Sequence, residues 1–296
     1  MTTDLQAMLP PLRPGIAADA SLLDMREAFR AFGATQLIDP DAKVTEAVIG
    51  EVACVKVEPP HARATMLYMH GGGFRVGEPA TYIGLASRLA VRAGLRIVLA
   101  GYRLAPEHPF PAALHDVFSV YRTLAAQTGD EITSNAPLLG GDSAGGGLAA
   151  ALALVARDTG IPSPGMLLLS PWLDLTARGA SFEACSDSDE MFSREVALAC
   201  AHHYLAGQDP MQGYASPLQA QSLAGFLPLW VTVSGSEVLR EDTVEFAGRL
   251  AREGGTVTMS VRPELPHVWP VVLPDSFVTN DTIAEMADFV RNIAPV

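Results

Sequence analysis

The sequence predicts an α/β protein: a mostly parallel central sheet flanked by helices and carrying a helical cap. Short, continuously apolar runs alternate with helix-periodic stretches, the pattern of strands buried on both faces. Two glycine-rich motifs stand immediately after apolar runs, where a strand must turn sharply. The interval 176–212 contains no strand pattern and is too long for a bare connection.

Taken in order, a proline-bearing lead (Pro10, Pro11, Pro14) precedes a stretch ending at Gly33. Its Leu22, Leu23, Met25, Ala28, Phe29 and Phe32 fall largely on one helical face. Residues 44–57 switch to period two and break at Gly50, which reads as a hairpin. Apolar strands follow at 65–69, 96–100, 137–141, 166–170, 229–233 and 256–261. Helical stretches are read at 79–93, 112–127, 145–157, 242–253 and 281–292. This divides the chain into a cap segment 1–43, a core part 44–175, a helical cap insertion 176–212 and a second core part 213–296.

Composition narrows the function classes. The chain has 296 residues, 49% of them hydrophobic and 18% charged, too apolar for a disordered chain. Thirty-three acidic against 20 basic residues give a net charge of −13, so neither nucleic acid nor an anionic membrane is expected as a partner. Cys54, Cys185 and Cys200 form no CxxC pair, so neither a disulfide framework nor a zinc knuckle is expected. The N-terminus lacks a basic start and an apolar h-region, and the longest apolar run, Ala144 to Ala156, is too short to span a bilayer. These absences lead to the expectation of a cytoplasmic protein.

Gly141-Asp142-Ser143-Ala144-Gly145 is a GxSxG pentapeptide between an apolar strand and an Ala/Leu-rich helix. A serine on so tight a turn has an exposed Oγ, and its flanking glycines allow strand and helix to approach closely. His70-Gly71-Gly72-Gly73 follows another strand, and its backbone N–H groups, with that of Ala144, can hold an oxyanion. No Gly-Lys-Ser/Thr follows, so a P-loop is not expected. A nucleophilic serine needs a base, and His267, in the loop after the last strand, fits the chain order Ser, acid, His. His70 is read as structural. The acid is sought after the strand 229–233, where Glu237 comes first; Asp242, at a helix start, is the alternative. Cys200, His202 and His203 lie within one helix with no further ligand at suitable spacing, so no metal site is expected.

With these residues in place, the chain resembles the hormone-sensitive-lipase-like family of α/β-hydrolase esterases. The resemblance rests on HGGGF (70–74), YRLAPEHPFPAAL (102–114), GDSAGGGLA (141–149), SPWLDLT (170–176), YASPL (214–218), GSEVLRED (235–242) and the PHVW around His267. It implies a cofactor-free carboxylic-ester hydrolase with a cap over the active site. Nucleophile and base fall on Ser143 and His267, and the acid, commonly Asp in the family, on Glu237. The oxyanion donors map to Gly72, Gly73 and Ala144. Glu107 becomes a buried structural anchor, and a homodimer through the last strand, Thr256–Val261, is expected. The substrates expected are small, uncharged esters of short or medium acyl chain. An amidase or formamidase on the same scaffold is the alternative activity; a non-catalytic receptor is disfavoured by the presence of His267.

Overall fold

A computed structural model describes residues 9, 10, 15, 17–126, 136–161 and 163–293. Pro11 and Pro14 of the lead and residue 127, the end of one expected helix, lie outside these residues. The eight-stranded sheet runs in the order β1-β2-β4-β3-β5-β6-β7-β8. β1 (Lys43–Ile49) and β2 (Val52–Glu58) form the expected hairpin, Ile49 facing Val52 across Gly50 and Glu51. β2 is antiparallel to β4 (Leu95–Ala100), and every later pairing is parallel. The parallel strands are β3 (Ala64–Met69), β5 (Leu138–Asp142), β6 (Met166–Leu169), β7 (Leu229–Ser234) and β8 (Val257–Arg262).

Alternation along the central strands builds two cores. Leu67, Met69, Val98 and Leu168 face one, with α3 (Ala112–Ala126), α4 (Ser143–Thr159) and α7 (Arg240–Arg252). Met66, Tyr68, Ile97, Leu167 and Leu169 face the other, with α2 (Ile83–Ala93) and α9 (Phe277–Ile293). Continuously apolar strand sequences follow from this, because each strand buries both faces. The two edge strands, β1 and β8, are exceptions, with Val48 of β1 exposed. On β8, Met259 and Val261 remain 41% and 43% exposed.

Two segments outside the sheet lie against its active end. α1 (Ala20–Gly33) starts at the Asp19 side chain, which accepts the Leu22 N–H. The guanidinium of Arg26 holds this helix down, reaching both carboxylate oxygens of Glu107 and the carbonyls of Arg75 and Ala105. Glu107 is therefore not the buried anchor expected from the resemblance. Its side chain is 31% exposed, and its role is to receive a bidentate ion pair from an N-terminal helix that sequence spacing alone does not bring near. The interval 176–212 carries α5 (Ser181–Ala184) and α6 (Arg194–Leu205), and α8 (Trp269–Val272) follows the loop of His267.

Candidate active site

Ser143 ends the turn from β5 into α4 with φ +51°, a left-handed conformation rare for a non-glycine residue. The flanking glycines permit it. A Cβ on Gly145 would lie 2.2 Å from the Met69 carbonyl oxygen, and one on Gly141 would lie 2.4 Å from that of Gly145. At the helix start the first N–H groups, Ala144 among them, have no intrahelical acceptor and carry the positive end of the helix dipole.

The loop after β8 brings His267 onto this serine. Its Nε2 lies 2.9 Å from Ser143 Oγ, and its Nδ1 lies 2.5 Å from Glu237 Oε2. A carboxylate can only accept, so Nδ1 carries the proton and Nε2 presents its lone pair to the serine hydroxyl. Glu237 is fixed in turn: its Oε1 accepts from Ser170 Oγ at 2.7 Å and from the Ser234 N–H at 2.8 Å. Ser234 Oγ also accepts the Leu265 N–H, tying the histidine loop to the glutamate loop.

Asp242 points elsewhere. Its Oδ2 accepts the N–H groups of Leu173 and Asp174, and it makes no hydrogen bond to His267. Burial pushes its carboxyl up to about 8, with the charges of Asp174 and Glu241 adding to the effect against the two backbone donors. At neutral pH it is an uncharged group bracing the 172–174 turn. Burial pushes the His267 imidazole down, but the charge and hydrogen bond of Glu237, then the charges of Asp189 and Asp142, outweigh it and leave the pKa raised.

The glycine loop stands opposite. Gly72 and Gly73 have φ +113° and +60°, and a Cβ on Gly72 would lie 2.3 Å from the Val76 carbonyl oxygen. His70 stacks on Tyr102 with ring centroids 4.3 Å apart and an interplanar angle of 15°. Burial drops its imidazole to about 4, so it is a neutral packing group and not a second base. The sequence does not indicate the part played by Asp142. Its carboxylate accepts from Tyr68 Oη, Tyr82 Oη and the Gly71 N–H, joining the serine turn to the glycine loop. Burial lifts Asp142 to about 6 against these three donors.

Ser143, His267, Gly72, Gly73 and Asp142 border a cavity of about 470 Å³. Met25, Phe29 and Phe32 of α1, and Met191, Phe192 and Val196 from the 176–212 interval, wall it. Phe192 lies parallel to the His267 ring at 6.0 Å. Asp189 holds that wall in place, accepting the N–H groups of Met191 and Phe192 on one oxygen and of Val238, next to Glu237, on the other. Among the described residues no His, Cys, Asp and Glu cluster could hold a metal ion, and no helix is long and apolar enough to cross a membrane.

A family model for the alpha/beta hydrolase fold matches residues 66–271. The structure superimposes on an esterase from the bacterial hormone-sensitive lipase family with a TM-score of 0.88 and 33% identity, over 94% of this chain and 93% of that one. The chain is an α/β hydrolase of the hormone-sensitive-lipase family. Curated relatives of this α/β hydrolase include an acetyl-hydrolase of Streptomyces hygroscopicus, 37% identical over 69% of this chain and 68% of the relative. The carboxylic ester hydrolase LipN of Mycobacterium tuberculosis is 30% identical over 89% of this chain and 75% of its own length. For other relatives the matched stretch spans as little as 61% of their length.

Proposed function

We propose that this hormone-sensitive-lipase-family hydrolase is a serine carboxylesterase acting through an acyl-enzyme. The relay from Ser143 Oγ through His267 to Glu237, at 2.9 and 2.5 Å on the wall of an apolar cavity, carries this reading. His267 Nε2 takes the Ser143 proton as Oγ attacks the ester carbonyl carbon. The N–H groups of Gly72, Gly73 and Ala144 hold the oxyanion, each such donor contributing about 3–4 kcal/mol to barrier lowering. The imidazolium then protonates the departing alkoxide, and water attacks the acyl-enzyme with His267 again as base. Glu237 orients the imidazole and stabilises its charged form.

In this reading the segments 1–43 and 176–212 form the cap and the rest of the chain the catalytic core. The apolar walls from α1 and from Met191, Phe192 and Val196 support that division. A second copy docking on the β8 edge is the homodimer we propose, supported by the exposed Met259 and Val261. The acidic surface disfavours nucleic acid as a partner, and the expected setting is cytoplasmic.

A cavity of about 470 Å³ suits short and medium acyl chains. With a p-nitrophenyl ester series from acetate to laurate, kcat/KM is expected to peak at or below medium length and to fall for laurate. Matched anilides are expected to turn over far more slowly than the esters. A steady rise toward laurate would contradict the cavity argument, and preferential anilide turnover would favour the amidase reading.

The pH dependence has a definite sign. The general base must be neutral, and the His267 pKa is raised above 6.5, so the acid limb of kcat/KM is expected above that value. The same shift makes His267 contribute to stability below pH 6.5, a contribution lost as pH rises through the folded-state pKa. An acid limb below 6.5 in the wild type would mean that burial, not Glu237, dominates the imidazole.

A further inference from the structure

Arg75 stands two residues after Gly73 of the glycine loop and lines the same cavity as Ser143. The other acidic and basic side chains on that wall have partners within the protein: Asp142 holds three donors and His267 lies between Ser143 and Glu237. Arg75 has none of opposite charge. Among the described residues it makes no ion pair, and its buried Nε–H has no acceptor. Its Nη1 lies 3.5 Å from His203 Nδ1, and it also touches the Cys200 thiol, both on α6. Neither neighbour balances the charge. Burial, then the charges of Arg75 and His202, lower the His203 pKa, keeping that imidazole neutral, and burial holds the Cys200 thiol protonated. The neighbouring arginine, Arg26, is already neutralised by Glu107 and donates to the Arg75 carbonyl.

An arginine is a rigid fork of donors matched to a carboxylate. We propose that Arg75 is a specificity-determining residue that receives a free carboxylate on the substrate. The preferred esters then carry a carboxylate a few carbons from the scissile bond, on either the acyl or the alcohol portion. This rests on the serine esterase reading and refines it, replacing the expectation of uncharged substrates. The reaction is unchanged in its balance: a half-ester and one water give a dicarboxylate, an alcohol and one proton, while an acylated hydroxy acid and one water give a carboxylate, a hydroxycarboxylate and one proton. The net charge of −13 does not oppose this at contact distance, since exposed charges beyond about 8 Å are largely screened at physiological salt.

The test compares pairs matched in chain length. Monoethyl succinate against ethyl valerate places the carboxylate on the acyl side; 3-acetoxypropanoate against butyl acetate places it on the alcohol side. For one pair, the wild-type ratio of kcat/KM, anionic over neutral, is expected to fall at least about tenfold in Arg75→Met, chiefly through KM, and to be partly restored in Arg75→Lys. Using the ratio removes any general loss of activity that the substitution brings. If both ratios are the same in Arg75→Met as in wild type, the proposal is overturned. Turnover of ethyl valerate and butyl acetate by the wild type would in that case leave the esterase reading standing, whereas absence of turnover on all four esters would reject that reading as well.

Discussion

Ser143→Ala is expected to lower kcat for a short p-nitrophenyl ester by about 10⁵–10⁶-fold, the scale on which removal of a serine nucleophile acts. The His267 Nε2 lone pair points at Ser143 Oγ, and the Asp142 carboxylate beside the turn is held by two tyrosine hydroxyls and a backbone N–H. The glycine loop and the helix start are untouched, so a residual acceleration of about 10³–10⁴ over water is expected to remain. Alanine adopts φ +51° no more readily than serine, so the thermal midpoint should move little, which separates lost chemistry from lost folding. An organophosphonate should add one equivalent to the wild type and none to the variant, read by intact mass. Ester turnover in Ser143→Ala within tenfold of wild type would remove the covalent mechanism altogether.

The parts of this site readable in the sequence are those where local backbone geometry dictates residue type. Gly141 and Gly145 are glycines because a Cβ at either would strike a backbone carbonyl oxygen, and that demand is written into five consecutive residues. The candidates His267 and Glu237 follow from their positions after β8 and β7, since strand ends in a parallel sheet converge on one edge. What escaped reading depends on which strands become neighbours. Tyr68 meets Asp142 only because β3 pairs with β5 in a register that sets Tyr68 beside Gly140. Arg26 and Glu107 are 81 residues apart, and nothing near either names the other. The resemblance accordingly implies a buried Glu107, whereas its side chain is partly exposed. The same holds for Arg75: its residue type is visible, but the lack of a carboxylate beside it emerges only when α1 and α6 close around it.

Glu237→Gln is expected to lower kcat about 10⁴-fold, whereas Asp242→Asn is expected to keep kcat within a few-fold of wild type. The glutamine amide can present its N–H₂ to Nδ1, favouring the tautomer with the proton on Nε2, which leaves no lone pair for the serine proton. It also removes the charge that most strongly raises the imidazole pKa, so burial takes over and any residual activity should show its acid limb moved to lower pH. The Ser170 hydroxyl and Ser234 N–H still find an acceptor in the amide oxygen, so the fold is expected to survive. Asp242 acts through stability instead. Its pKa is raised to about 8, above its unfolded value, so the native state holds the proton more tightly than the unfolded chain. That linkage makes the wild type lose stability as pH rises from about 4 to about 8. In Asp242→Asn this loss should be absent: the amide oxygen still accepts from Leu173 and Asp174, and no ionisation remains to be suppressed. Denaturant midpoints at pH 5 and pH 8 measure the difference, alongside turnover for both variants. Should Asp242→Asn abolish turnover while Glu237→Gln keeps it, the hydrogen bond between His267 and Glu237 would have no catalytic meaning and the triad would have to be rebuilt around the other carboxylate.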